Sequence, residues 1–259
     1  MSVFRSLWRS VRLVGMFVYA GAELVVTRPM TRAARADWLH RFCARAIQGM
    51  DVTVTVSGSF PERGAVISNH LSYLDIIVFS STRACVFVSK AEIKTWPVIG
   101  WMTTMAGTVY VERGRGGSAL KARSGMKEAA DAELPVVFFP EGTTSNGAQL
   151  LKFHSGLLAQ AMGDNEPVTA AYLKYFLDGD NGPDVTVAED VCYWGDGSMW
   201  KHIFKFLSLR GVRAEVCFED GPIRFTTDVL HRKQAAVEAQ AAVAALGGSR
   251  IQQEEFIES

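Results

Sequence analysis

Residues 65–80 read AVISNHLSYLDIIVFS, an apolar run followed by polar residues and then a second apolar stretch. The run over 65–68 has the length and composition of a buried strand, and 73–80 has the character of a helix. A strand, a polar loop and a helix in direct succession form the building unit of α/β domains. This stretch therefore predicts an α/β fold.

The same alternation of strands and helices continues along the chain. The predicted strands cover 52–56, 65–68, 85–89, 107–111, 135–139, 168–175 and 212–218. The predicted helices cover 73–80, 118–131, 155–162 and an Ala-rich segment that starts at Thr227 or Asp228 and is closed by Gly247-Gly248. The pattern predicts an α/β domain that spans 51–259, with helices on the faces of its sheet.

The overall composition is that of a globular protein with a substantial core. Hydrophobic residues make up 48% of the 259 residues and charged residues 21%. The formal net charge is zero, so no global basic field points to nucleic acid. The scattered cysteines (Cys43, Cys85, Cys192 and Cys217) lack the spacing of a zinc site, so we expect free, mostly buried thiols in a reducing compartment.

The first 50 residues differ from the rest in charge. Eight arginines are opposed only by Glu23 and Asp37, which gives this segment a net charge of +6. Aromatic residues are interleaved with the arginines, a combination that is attracted to anionic membrane surfaces. We therefore predict that residues 1–50 form N-terminal membrane-anchoring helices.

Within this segment, residues 13–26 read LVGMFVYAGAELVV. The run is shorter than the roughly 20 apolar residues that a spanning helix needs. Three interpretations remain open: a helix that lies in the membrane interface, which we favour, a transmembrane helix lengthened by its flanks, and a cleaved signal peptide. Pro29 separates this element from a second predicted helix over 31–50.

The polar residues of chemical interest follow the predicted strands. His70 comes just after the strand over 65–68, and Asp75 lies five residues further on. A histidine acts as a base only when a second group fixes its tautomer, and Asp75 can fold back to do this if a helix begins here. On spacing alone, a helix-capping asparagine followed by a surface histidine is the alternative interpretation.

Three later segments carry further polar residues. Arg113 follows the predicted strand over 107–111 and offers a planar fork of donors for phosphate or carboxylate. The strand over 135–139 runs into Pro140-Glu141-Gly142-Thr143-Thr144-Ser145, where glycine permits close approach of the backbone to a ligand. Lys152 places a cation before the next predicted helix.

Taken together and in this order, these segments resemble the lysophosphatidic acid acyltransferase family, also called the glycerolipid acyltransferases. The resemblance rests on Asn69-His70 with Asp75, on Gly107 with Arg113, and on Phe139 through Ser145. It spans about residues 51 to 175. It implies the glycerolipid acyltransferase fold, a mixed β-sheet flanked by helices. It also implies an O-acyltransferase of phospholipid biosynthesis, associated with a membrane and independent of metals and organic cofactors.

The family mechanism implies a role for each matching residue. His70 would deprotonate the acceptor hydroxyl, and Asp75 would orient His70, so that the acyl thioester is attacked directly without a covalent acyl-enzyme. The remaining motif residues would bind substrate, namely Asn69, Arg113, Glu141, Gly142, Thr143, Thr144 and Lys152. The His70–Asp75 pair argues against a non-catalytic lipid-binding protein, and the absence of a G-x-S-x-G elbow argues against a serine hydrolase.

The resemblance also sets expectations for the substrates. The leading expectation is transfer from acyl-CoA or acyl carrier protein to the sn-2 hydroxyl of 1-acylglycerol-3-phosphate, giving phosphatidic acid. Thr144 stands where many relatives have arginine, and an aromatic-rich run over 191–196 resembles family members that acylate lyso-ornithine lipid. Lyso-ornithine lipid or another lysolipid is therefore the alternative acceptor. The expected location is the cytoplasmic face of a bacterial inner membrane.

Overall fold

A seven-stranded sheet forms the centre of the structure. The structure is a computed structural model, and it describes residues 2–96, 99–111, 118–163, 166–226 and 229–257. The strands are β1 (Val52–Ser57), β2 (Ala65–Ile67), β3 (Val86–Lys90), β4 (Val109–Val111), β5 (Val136–Phe138), β6 (Val168–Leu177) and β7 (Val212–Phe218). Their order is β1-β7-β6-β2-β5-β3-β4. All neighbours are parallel except β6 and β7. The prediction of a mixed sheet is confirmed.

Helices cover both faces of this sheet. They are α1 (Val3–Thr27), α2 (Arg32–Met50), α3 (Leu74–Thr82), α4 (Ile99–Met105), α5 (Ser118–Asp131), α6 (Ser155–Gly163), α7 (Val187–Asp190), α8 (Met199–Phe206) and α9 (Arg232–Ile257). Apolar side chains of the strands form two clusters, because successive strand residues point to opposite faces. One cluster includes side chains from α1, α2, α3 and α8, and the other includes side chains from α5, α6 and α9.

The parallel pairing of β2 with β5 brings two polar loops together. Ala65 is in register with Val136, and Ile67 with Phe138. The loop after β2 and the loop after β5 therefore leave the sheet side by side at the carboxyl ends of the strands. This edge is where ligands bind in open α/β sheets.

The N-terminal helix packs against the rest of the fold through polar as well as apolar contacts. Near its start, the buried Arg9 side chain donates to the carbonyls of Leu207 and Leu209 at 3.3 and 2.6 Å. Near its end, Glu23 pairs with Arg41 and Arg45 of α2 at 2.9 and 2.7 Å. The helix is thus held against the domain close to both of its ends.

The opposite face of α1 is apolar and exposed. Large hydrophobic side chains recur there at helical spacing, namely Phe4, Leu7, Trp8, Val11, Val14 and Val18. By length and composition, α1 can cross a membrane, and only 11% of its 18-residue apolar stretch is buried. The helix is longer than residues 13–26 alone indicate, since it starts at Val3.

The predicted end of the last helix is wrong. Helix α9 continues through Gly247-Gly248 to Ile257, and the proposed caps Thr227 and Asp228 lie outside the described residues. Packing explains the continuation, because a Cβ atom on Gly247 would come within 2.8 Å of the Tyr172 ring. Glycine costs roughly 1 kcal/mol relative to alanine inside a helix, but here it allows the helix to approach β6 closely.

Candidate active site

His70 and Asp75 meet in the loop between β2 and α3. The Nδ1 atom of His70 lies 2.7 Å from Oδ2 of Asp75. Because an ionised carboxylate only accepts, Nδ1 carries the proton and Nε2 keeps its lone pair. The His70 ring also stacks on Phe139, with centroids 4.0 Å apart and planes 4° apart. None of the described residues hydrogen-bonds to Nε2, so this atom has the form of a general base.

Asp75 is completely buried and lies in the first turn of α3. Its Oδ2 atom also accepts from the backbone N–H groups of Leu71 and Ser72, at 2.7 and 3.0 Å. Its Oδ1 atom accepts from the hydroxyl of Tyr175 at 2.8 Å. Donors at a helix N-terminus stabilise negative charge, so the fold compensates the burial of this carboxylate.

Asn69 is buried, and its amide group is fully engaged with strand β6. Its Nδ2 donates to the carbonyl of Leu173 and its Oδ1 accepts from the N–H of Leu173, both at 2.8 Å. The side chain imitates a peptide group and extends the β2–β6 ladder beyond the end of β2. This placement favours a role in positioning the loop over direct contact with substrate.

Glu141 joins the two loops of the site. It is 3% exposed, its Oε1 accepts from the N–H of His70 at 3.0 Å, and its Oε2 accepts from the N–H of Leu151 at 3.2 Å. Burial raises the pKa of Glu141 to about 7, while these two donors act in the opposite direction. Glu141 therefore holds the backbone of His70 in place from the loop after β5.

The residues after Glu141 form a turn around Gly142, which has a φ of 67°. The Gly142 N–H donates to the carbonyl of Phe139 at 3.0 Å, and the Ser145 N–H donates to the carbonyl of His70 at 2.9 Å. Thr143 is exposed and Thr144 is partly exposed. Within the described part of the chain, the N–H groups of Thr143 and Thr144 have no acceptor.

Of the two predicted substrate-binding cations, Arg113 and Lys152, the structure describes only Lys152. Arg113 lies outside the described residues, and β4 ends just before it at the edge of the sheet. Gly107, its partner in the motif, accepts from Arg32 of α2 through its carbonyl at 2.8 Å. Lys152 is exposed, next to the Leu151 amide that binds Glu141.

The sequence prediction missed two long-range contacts in this region. Tyr175 was recognised only as the end of a strand, and its contact with Asp75 joins residues 100 positions apart. The aromatic run over 191–196 covers the His70 loop, since the Tyr193 N–H donates to the carbonyl of Leu71 at 2.8 Å. No local pattern reports such pairs.

A second histidine ties α8 to the start of α3. His202 donates through Nε2 to the Cys192 carbonyl at 2.9 Å and accepts through Nδ1 from the Tyr73 hydroxyl at 3.0 Å. Burial lowers the pKa of His202, which favours the neutral ring that this pattern requires. The contact holds α8 against the loop that carries His70.

Comparisons with known proteins show the family of the chain. A family model described as Acyltransferase matches residues 51–174. A lyso-ornithine lipid O-acyltransferase of Pseudomonas aeruginosa is 31% identical over 83% of this chain and 83% of its own length. A 1-acyl-sn-glycerol-3-phosphate acyltransferase of Neisseria gonorrhoeae is 34% identical over 51% of this chain and 52% of its own.

A solved structure shares the fold. It is the 1-acyl-sn-glycerophosphate acyltransferase PlsC from Thermotoga maritima, with a TM-score of 0.66 over 94% of this chain and 95% of that chain. The two sequences are only 18% identical, so this likeness concerns the fold. The motif residues, the family model and the long alignment to the Pseudomonas aeruginosa enzyme together show that this chain is an O-acyltransferase of the glycerolipid acyltransferase family.

Proposed function

We propose that this enzyme moves a fatty acyl chain from an acyl thioester to the free hydroxyl of lyso-ornithine lipid, with His70 as the general base. The observation that carries the reaction type is the 2.7 Å contact between His70 Nδ1 and a buried Asp75. It leaves Nε2 as a base held in a fixed orientation by the carboxylate and by Phe139. A positioned base of this kind contributes about 10²–10⁴ in rate.

The proton follows a simple path. Nε2 of His70 takes the hydroxyl proton as the acceptor oxygen attacks the thioester carbonyl. The imidazolium that forms is stabilised by Asp75. The tetrahedral intermediate then collapses, the C–S bond breaks, and the thiolate leaves with the proton from His70. No serine is acylated on this path.

The oxyanion of the intermediate needs hydrogen-bond donors close to the base. The N–H of Gly142 donates to Phe139, whereas those of Thr143 and Thr144 have no acceptor among the described residues. We assign the oxyanion to these two amides. Lys152, which is exposed, and Arg113 are assigned to the head group of the acceptor.

Lyso-ornithine lipid is the preferred acceptor for two reasons. Lyso-ornithine lipid O-acyltransferases of Pseudomonas aeruginosa and Rhodobacter capsulatus align over 83% and 72% of this chain, whereas the 1-acyl-sn-glycerol-3-phosphate acyltransferase of Neisseria gonorrhoeae aligns over 51%. In addition, Thr144 removes a cation that a phosphate monoester would use.

A second candidate acceptor is 1-acylglycerol-3-phosphate, acylated at its sn-2 hydroxyl. The exposed Lys152 beside the site and the match to the Neisseria gonorrhoeae enzyme favour it. Acyl-CoA and acyl carrier protein are both candidate donors for either acceptor.

We further propose that the enzyme acts on the surface of the bacterial inner membrane, at its cytoplasmic face. The exposed apolar face of α1 supports membrane contact. The polar contacts near both ends of α1 support a helix that lies along the surface over one that crosses the bilayer or is removed as a signal peptide.

The first test is an acyl-transfer assay with purified enzyme in detergent micelles. Labelled acyl-CoA and acyl carrier protein are each offered with lyso-ornithine lipid, 1-acylglycerol-3-phosphate or lysophosphatidylcholine. His70→Ala tests the base, and His231→Ala is the matched control because its side chain is exposed and lies outside the site.

We expect transfer to lyso-ornithine lipid that is lost in His70→Ala and kept in His231→Ala. Transfer to 1-acylglycerol-3-phosphate alone would retain the mechanism and replace the acceptor. Equal activity of His70→Ala and the parent enzyme would disprove the proposed base.

A further inference from the structure

The two oxygens of Asp75 have different partners. Oδ2 accepts from His70 and from two backbone N–H groups, whereas Oδ1 accepts from Tyr175 at 2.8 Å. Asp75 has no exposed surface, so water does not solvate Oδ1. A buried carboxylate oxygen without a donor is strongly disfavoured. The Tyr175 hydroxyl therefore completes the shell that keeps Asp75 charged and fixed.

Strand β6 brings Tyr175 to this position through a second contact with the same loop. Strand β2 ends at Ile67, and the Asn69 amide then binds both backbone groups of Leu173. Leu173 and Tyr175 are two residues apart and so point to the same face of the sheet. Once Asn69 fixes the register at Leu173, the Tyr175 side chain is directed toward Asp75.

We propose that Tyr175 is a positioning residue for acyl transfer, acting through Asp75 on the orientation of His70. The inference rests on the proposed role of His70 as the base. Because Tyr175 holds Oδ1, the Asp75 carboxylate is fixed in one orientation, and its Oδ2 atom faces Nδ1 of His70. Tyr175 is 3% exposed, and burial together with Asp75 raises its pKa well above the ordinary value, so the hydroxyl remains a donor at neutral pH.

The test is the kinetic profile of Tyr175→Phe, which removes one oxygen and keeps the ring. We expect kcat to fall about tenfold, the order expected when a hydrogen bond to a buried charge is lost. The KM for the acceptor should stay within about twofold. Asp75 would then hold a protonated His70 more strongly, so the acidic limb of the kcat/KM profile should move to higher pH.

Tyr172→Phe is the matched control, since Tyr172 lies on the same strand but packs in the cluster on the other face of the sheet. Thermal melts accompany both variants. An unchanged kcat and pH profile in folded Tyr175→Phe would overturn the proposal, as would a change in KM alone. A variant that fails to fold while Tyr172→Phe folds would also overturn it, because the hydroxyl would then serve folding.

The same experiment separates this inference from the proposed function. His70→Ala is assayed beside Tyr175→Phe with the same substrates. If His70→Ala retains activity, the role of the base fails. If only His70→Ala is impaired and Tyr175→Phe behaves like the parent enzyme, the base stands and the role of Tyr175 fails.

Discussion

At the scale of single residues, Asp75 accepts four hydrogen bonds, and an asparagine cannot replace all of them. Its amide nitrogen would face N–H or O–H donors, so one or more would lose its acceptor. We expect Asp75→Asn to lower kcat by about 10²–10⁴ and to reduce the free energy of unfolding by about 1–3 kcal/mol. Steady-state assays and denaturant unfolding measure the two effects, with the exposed Asp131→Asn as control.

Glu141 gives the protein a specific dependence of stability on pH. Burial raises its pKa to about 7 from the ordinary value of 4.5, so the folded chain binds this proton more tightly than the unfolded chain. The stability that protonated Glu141 contributes is present below about pH 4.5 and is lost as pH rises toward 7.

Glu141→Gln removes this titration. We expect the Tm of the parent protein to fall relative to Glu141→Gln between about pH 5 and pH 8. Each pKa unit corresponds to about 1.4 kcal/mol, which is roughly 2–4 °C in a chain of this size. Melts across this range test it, with the exposed Glu62→Gln as control. A Tm difference that does not change with pH would contradict the prediction.

At the scale of elements, Arg9 connects α1 to the turn that follows α8. Its guanidinium binds two carbonyls and Asp51, the last at 2.5 Å, and only 6% of the residue is exposed. Arg9→Ala leaves the buried carbonyls without a donor, so we expect a loss of about 2–4 kcal/mol of stability. Denaturant unfolding measures it, and Arg12→Ala on the exposed side of the helix should stay within about 0.5 kcal/mol.

A second prediction at this scale concerns the exposed apolar face of α1. Phe4, Trp8 and Val11 are 80%, 58% and 65% exposed, so serine at these positions should leave the fold intact. We expect the triple variant to lose most of its binding to phospholipid vesicles in sedimentation assays, because apolar burial drives interfacial binding. Undiminished vesicle binding would show that another surface holds the membrane.

At the scale of the whole molecule, half of the eight arginines in the first 50 residues form ion pairs inside the fold. Arg9, Arg32, Arg41 and Arg45 pair with carboxylates of the same chain. Fewer arginines are therefore available to anionic lipids than the net charge of +6 indicates. We expect vesicle binding to persist at about 0.5 M salt, where surface charge is screened within a few ångströms. A steep loss of binding with salt would contradict this.

The sequence by itself determined the fold class and the identity of the His70–Asp75 pair. Both depend on neighbours along the chain: the alternation of β2 and α3 is local, and five positions separate His70 from Asp75. The seven predicted strands and the helices predicted over 73–80, 118–131 and 155–162 agree with the structure to within two residues. Helix α1 starts ten residues before the apolar run over 13–26, and α4, α7 and α8 were not predicted. The helix prediction also fails at Gly247, where packing against Tyr172 outweighs the helix propensity of glycine.

Tertiary structure alone decided how the pair is supported. Tyr175 binds Asp75 and Leu173 binds Asn69, in each case across about 100 residues. Glu141 binds the N–H of His70 from the loop after β5. The arginines of α2 pair with Glu23 of α1. Such contacts depend on strand order and register. Hydrophobic periodicity reports which face of an element is buried, but it does not report which side chain of a distant element that face meets.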